Sequence, residues 1–197
     1  MPNPSFWETQ TFYQKADFII IGSGIVGLNA AIQLKETSPK SRVVVLERGT
    51  LPSGASTRNA GFACFGSLSK LLDDLETQTE DEVLALVEKR WRGLQRLRER
   101  VGDKNLDFKQ WGGYELFEEK EEAVFKKCAK QMADFNKKLA TVIGVKNAFQ
   151  VTDNQINKLG FKKVKHLIWN NAEGQIHTGK MMRALWQIAI AKGVKIF

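Results

Sequence analysis

The apolar positions of this chain change period several times, and each change marks a predicted element. Asp17–Gly22, DFIIIG, is an unbroken apolar run, which predicts a short strand buried on both faces, as in a parallel sheet. Helical spacing takes over at once. Ile25, Leu28, Ala31, Ile32 and Leu34 place an apolar stripe along one side of a helix. The TSPKS segment ends it, because proline cannot continue a helix and the residue before it prefers extended backbone. Arg42–Arg48, RVVVLER, is a second β-branched run. Strand, helix and strand within about 30 residues make a βαβ unit.

Residues 52–67, PSGASTRNAGFACFGS, carry neither period and are dominated by small side chains. More helices follow. Thr79 and Glu82 form a T-x-x-E capping box ahead of a helical stripe through Val83, Val87, Leu94 and Val101. FKQWGGYELF (Phe108–Phe117) predicts a strand kinked at its glycines, and Glu118–Leu139 a charged helix. HLIWNNAEGQIHTG predicts a strand and a turn. Thr178–Lys192 predicts a helix stopped by Gly193, after which VKIF opens a strand. A strand just begun is a poor place for a domain to stop, so the chain reads as the front part of a longer protein.

Composition narrows the classes. The chain has 197 residues, 43% of them hydrophobic and 26% charged, enough for one domain or a small domain plus part of another. Four prolines and no repeat argue against disorder and solenoids. Two cysteines, Cys64 and Cys128, are too few for a disulfide framework or a cysteine-based zinc site, and no metal ligand set is predicted. The opening MPNPSFWETQTFYQK lacks the basic and apolar regions of a signal peptide. The longest apolar run, FIIIGSGIVGL, falls short of the roughly 20 residues a membrane span needs. A soluble, reducing, cytoplasmic setting is the expectation. The net charge of +8 raises nucleic acid as a partner. Seventeen Lys/Arg stand against ten Asp/Glu in residues 101–197, but they are scattered along predicted helices, as in KKCAKQMADFNKK and KLGFKKVKH. Such spacing reads as a solvated face, so nucleic acid is not the expected partner.

The chemistry sits in the first βαβ unit. Gly22-Ser23-Gly24-Ile25-Val26-Gly27 matches G-x-G-x-x-G directly after an apolar strand and at the opening of a helix. Gly22 permits the tight turn, Gly24 lets backbone approach a pyrophosphate, and Gly27 with Ala30 and Ala31 permits close helix–strand packing. The helix N-terminus offers free N–H groups to phosphate. Glu47 closes the second strand, 20 residues after Gly27, where a carboxylate accepts hydrogen bonds from a ribose diol and repels a 2′-phosphate. Arg48 beside it keeps a 2′-phosphate open. The reading is an ADP-containing dinucleotide, NAD or FAD.

DFIIIGSGIVGLNAAIQL, VVVLERG and GASTRNAGF together resemble the D-amino-acid-oxidase-like family of FAD-dependent oxidoreductases. The resemblance is strongest over Asp17–Ser67. It implies a Rossmann-like α/β FAD-binding domain with an inserted α+β substrate domain, incomplete at the C-terminus. The implied division is residues 1–75 and 173–197 for the FAD-binding domain and 76–172 for a portion of the substrate domain. It also implies that Ala55, Ser56, Arg58, Asn59, Ala60 and Gly61 line the path of a non-covalently bound FAD. Ser56 and Asn59 supply short hydrogen-bonding groups, Arg58 can balance phosphate charge, and Ala60 and Gly61 let backbone N–H groups come close. The activity implied is oxidation of the C–N bond of a small amine or amino acid, with oxygen or another acceptor taking the electrons. No residue stands out as catalytic: Cys64 reads as a small filler, His166 and His177 as structural or surface residues, and Tyr114 as an ordinary strand aromatic. The alternatives are an NAD-dependent oxidoreductase and a truncated, non-catalytic flavoprotein module.

Overall fold

A computed structural model describes residues 3–197. In chain order the first elements are α1 (Phe6–Thr11), β1 (Phe18–Ile21), α2 (Ile25–Thr37), β2 (Val43–Leu46), β3 (Phe62–Ala63), α3 (Leu68–Asp74), α4 (Glu80–Val101) and α5 (Asp103–Leu106). Then come β4 (Gly113–Glu118), α6 (Glu122–Ile143), β5 (Phe149–Val151), α7 (Ile156–Leu159), β6 (Val164–Asn170), β7 (Gly174–Gln175), α8 (Thr178–Ala191) and β8 (Lys195–Ile196). The chain divides into two compact units: the segment up to Ala60 together with Thr178–Phe197, and Gly61–His177.

The first unit is built on the parallel sheet β1-β2-β8. Phe18 pairs with Val43 and Ile21 with Leu46, and Val44 pairs with Lys195 on the other side of β2. α2 packs against α8. The predicted stripe lies inward, with Leu28, Ala31 and Ile32 fully buried alongside Val43 and Val45 of β2. Gly193, at φ +81°, ends α8 as expected, its N–H donating to the Ile190 carbonyl at 2.8 Å. One expectation fails. DFIIIG is not buried on both faces, since Ile19 is 61% and Ile21 79% exposed. The reason is the alternation of faces: Ile19 and Ile21 share the face of Val44 and the exposed Leu46, whereas α2 packs on the opposite face, where Val43 and Val45 are buried.

The second unit carries an antiparallel sheet, β4-β6-β5, and a short ladder between β3 and β7. Phe117, Phe149 and Ile168 from the sheet join Leu71, Val87, Cys128, Phe135 and Leu139 from the helices in one core. Thr79 and Glu82 form the predicted capping box at the start of α4. Buried Asn136 of α6 pins β5, donating to the Phe149 carbonyl at 2.8 Å and accepting from its N–H at 2.9 Å. His166 stacks on Phe125 with ring centroids 3.7 Å apart and reaches Asp153 at 2.7 Å and Glu122 at 3.2 Å.

Differences from the pattern have local causes. The strand predicted from Phe108 begins only at Gly113, because Gly112 at φ +79° turns the backbone. The helix predicted over Glu118–Leu139 occupies Glu122–Ile143, after a 3-10 turn at Glu119–Glu121. KLGFKKVKH is not helical throughout: α7 stops at Gly160, φ +71°, and the last of these lysines lies on β6. Lys127, Lys138 and Lys165 pair with Glu76, Glu80 and Glu119 at 2.5, 2.6 and 2.8 Å. α1 escaped notice although Ser5 and Glu8 form the same kind of capping box as Thr79 and Glu82. Among the described residues no helix is long and apolar enough to cross a membrane, and no cluster of three metal-ligating side chains occurs.

Two glycines separate packing from propensity. A Cβ on Gly27 would fall 2.0 Å from the Gly22 carbonyl oxygen, whereas one on Gly93 of α4 would meet nothing within 4 Å. In denaturant unfolding Gly27→Ala should lose about 1–3 kcal/mol through overpacking. Gly93→Ala should gain about 1 kcal/mol through helix propensity.

Candidate functional site

β1 runs into α2 through only three residues, and that short passage sets the local geometry. Gly22 takes φ +90°, reversing the chain, and its N–H donates to the Leu46 carbonyl at 2.7 Å. Gly24 is the N-cap of α2 and offers no side chain to close the helix end. Gly27 lies beneath the turn, where the Gly22 carbonyl fills the place of a side chain. The start of α2, beside the end of the sheet, therefore has no cap from its own N-cap residue.

Two side chains organise that end. Glu47 follows β2, and its Oε2 accepts from the Ser23 N–H at 2.8 Å and the Ser23 hydroxyl at 2.6 Å. Its Oε1 receives the Gly49 N–H, at 3.3 Å. The Ser23 hydroxyl and then the Ser23 N–H hold the carboxyl below the usual carboxylate range, against a smaller opposing effect of burial. Ser23 is fully buried, so its hydroxyl is committed to this bond. Ser56, from the glycine-rich loop, accepts from the Ile25 N–H at 3.0 Å. A Cβ on Gly24 would come within 3.1 Å of the same Ser56 oxygen.

The loop is shaped by its own hydrogen bonds. The N–H groups of Thr57 and Arg58 both donate to the Gly54 carbonyl, at 3.1 and 3.0 Å. Thr57 Oγ1 donates to the Pro52 carbonyl at 3.2 Å, and Asn59 Nδ2 to the Ala55 carbonyl at 2.9 Å. These bonds make the loop a compact turn fastened to the start of α2 through Ser56.

Gly22, Gly24, Glu47, Arg48, Ala55 and Ser56 line one cavity of about 260 Å³. Ile21, Leu46, Pro52, Ser53 and Gly54 complete the lining and were missed in the sequence; the quoted loop contains three of them, and its proline and glycine were the available signal. Ser23 and Ile25 touch the site through Glu47 and Ser56. Val26 is 80% exposed and lies outside the lining. Arg58, Asn59 and Ala60 are exposed and lie outside the lining. Gly61 opens the second unit, at φ +75°, its carbonyl accepting from the Ile176 N–H at 2.9 Å. Cys64 is exposed, so it is not a core filler; Cys128 is buried, its thiol pushed up to about 11, mainly by that burial.

The arrangement fits part of a dinucleotide. An ionised carboxylate and the start of a 13-residue helix border the same cavity, suited to a ribose and to phosphate respectively. Pockets enclosing a drug-sized ligand run to roughly 300–1,000 Å³. This cavity therefore takes a fragment of such a cofactor and leaves the rest outside.

The chain belongs to the DAO family of FAD-dependent oxidoreductases, whose model matches residues 17–197. Among solved structures it is similar to glycine oxidase from Geobacillus kaustophilus, at 22% identity and a TM-score of 0.64, over 92% of this chain and 46% of that one. It is similar to an L-amino acid deaminase from Proteus myxofaciens at 18% identity and a TM-score of 0.65, covering 93% and 38% of the two chains. L-α-glycerophosphate oxidase from Mycoplasma pneumoniae, solved with FAD bound, matches at 16% identity and a TM-score of 0.62, covering 93% and 45%. The chain thus spans less than half the length of each of these proteins. No curated protein matches its sequence.

The Ser23–Glu47 bond makes a prediction that needs no cofactor. Glu47 has a lowered pKa in the fold, so its contribution to stability is present above the ordinary carboxyl pKa and is lost as pH falls through the folded value. Ser23→Ala should move the Glu47 carboxyl upward in a ¹³C NMR titration while the other carboxyls of the first unit stay in place. An unmoved Glu47 would show that the hydroxyl does not hold it.

Proposed function

We propose that this protein oxidises the C–N bond of a small amine or amino acid, using FAD held without a covalent link. The observation that carries the reading is the shared cavity of the Glu47 carboxylate and the start of α2, in a chain of the FAD-dependent oxidoreductase family. Glycine oxidase and L-amino acid deaminase among the similar structures favour an amine over other substrates.

In this reading each residue has a physical task. Gly22 and Gly24 keep side chains out of the way of a pyrophosphate, and Gly27 keeps the helix end tight against the turn. The start of α2 turns its positive end toward phosphate, with Val26 contributing backbone only, while the Ser23 and Ile25 N–H groups are held by Glu47 and Ser56. Glu47 binds the ribose diol through Oε1, since Oε2 is occupied by Ser23, and Arg48 flanks it. Ala55, Ser56, Arg58, Asn59, Ala60 and Gly61 form the cradle that follows, with Arg58 offsetting phosphate charge. Residues 76–172 supply part of an inserted substrate domain. FAD, when bound, supplies the group that accepts the hydride from the carbon of the C–N bond. The amine also gives up a proton and leaves as an imine, which water hydrolyses. The final electron acceptor is oxygen or another acceptor.

The full-length protein should be yellow when purified and release intact FAD on denaturation. In a fluorescence titration it should bind FAD and leave NAD unbound at the same concentration. Glu47→Ala should weaken FAD binding by about tenfold or more, the loss of one charge-assisted hydrogen bond, without changing the circular dichroism spectrum. A folded protein that takes NAD and refuses FAD would overturn the reading.

A further inference from the structure

The first helix buries nothing. Residues 6–13, α1 and the two that follow it, carry four aromatic side chains, and all are exposed: Phe6 63%, Trp7 74%, Phe12 58% and Tyr13 66%. A helix with an apolar set ordinarily turns it inward, and six residues are too few to hold a helix by propensity alone. α1 is held by polar bonds instead: Ser5 and Glu8 cap its start, and Lys195 Nζ of β8 donates to the Thr11 carbonyl. Phe6 and Trp7 meet edge to face with ring centroids 5.1 Å apart, so their rings form one patch. The segment also precedes residues 17–197, which the family model matches, so the shared fold does not account for it.

Positive charge gathers at the same end of the first unit. β1, β2 and β8 are parallel, so their starts lie together with the ends of α2 and α8, which lead into β2 and β8. Lys15, Lys35, Lys40, Arg42, Lys192 and Lys195 stand at that end against Glu8, Asp17 and Glu36, six basic groups to three acidic ones. α1 belongs to this end through its bond to Lys195, and Lys15 lies in the short link from α1 to β1. The partners of these cations leave their charge facing water. Lys35 Nζ donates to the neutral Ser41 carbonyl at 2.9 Å, and the Asp17 carboxylate is turned to the Arg42 backbone N–H at 2.7 Å. Lys192 meets Glu36 at 3.5 Å in an exposed pair of little strength.

We propose that α1 and the basic end of the first unit dock on an anionic lipid bilayer. The rings of Phe6, Trp7, Phe12 and Tyr13 enter the headgroup layer, where aromatic side chains with a polar tip are at home. The surrounding lysines and Arg42 meet the lipid phosphates, and the excess of basic over acidic groups supplies the charge complementarity. The contact is peripheral: it needs no membrane-spanning helix, and it joins a shallow apolar insertion to an electrostatic one. The cavity lined by Gly22, Gly24 and Glu47 lies at the other end of the same strands, so docking leaves it accessible. The surface lies wholly within the first unit and stands independently of the dinucleotide reading.

The test is co-sedimentation of the full-length protein with vesicles of phosphatidylcholine alone and of phosphatidylcholine mixed equally with phosphatidylglycerol. The protein should sediment with the mixed vesicles and stay in solution with the neutral ones, and added salt should release it. Lys15→Gln or Lys40→Gln should each weaken binding about fivefold, the share of one basic group at such a surface. Trp7→Ala should weaken it about tenfold through the lost apolar contact, with circular dichroism checking the fold. Brominated lipid should quench the tryptophan fluorescence of the wild type more than that of Trp7→Phe, a readout that keeps an aromatic ring in place. Equal sedimentation with neutral vesicles, or binding untouched by Trp7→Ala, would overturn the proposal. So would binding lost with Ile19→Thr instead, which would move the contact to the exposed face of the sheet. Self-association that Trp7→Ala abolishes, without vesicle binding, would assign the patch to a second copy and overturn it too. None of these readouts depends on FAD.

Discussion

The approach of Gly27 to the Gly22 carbonyl is the constraint on which the functional end of the first unit depends. Three residues between strand and helix leave no space for a side chain there, and the helix can start where it does only because none is present. From that junction the rest follows. The helix end stands beside the sheet without a cap from its own N-cap residue, Ser23 is buried with its hydroxyl turned to Glu47, and Ser56 reaches the Ile25 N–H from the neighbouring loop. A larger residue at 27 would push the helix away and disperse these partners together.

The two units treat acidic groups in opposite ways. Glu47 is ringed by donors from Ser23 and Gly49, which favour its ionised form. Glu173 has one donor and no cation, and its charge is disfavoured by burial.

Much of the first unit was legible because its signals are local. The apolar run, the glycine spacing, the proline stop and the acid after the second run each carry their meaning within a few residues, and Gly22, Gly24 and Glu47 do border one cavity. The exposed face of β1 was not legible, since which face of a sheet a helix covers is set by packing and not by the strand's own composition. The roles of Ser23 and Thr57 were hidden for a related reason: a hydroxyl shows its partner only once the turn is folded. The cavity lined by Glu115, Asn170 and Glu173 lay further out of reach. It needs the register of β4 against β6 to bring Glu115 and Asn170 to one face, and a turn to return Glu173 to them. Short elements such as β3, β7 and α7 carry too few residues to show any period.

Amide hydrogen exchange of the full-length protein, with and without FAD, tests the central claim most directly, because it locates the bound cofactor rather than its effect on activity. FAD should slow exchange at Gly24 to Leu28 and at Ala55 to Arg58, where the start of α2 and the fastened loop border the cavity. Binding that leaves both segments unprotected, or protects only other parts of the chain, would contradict the account.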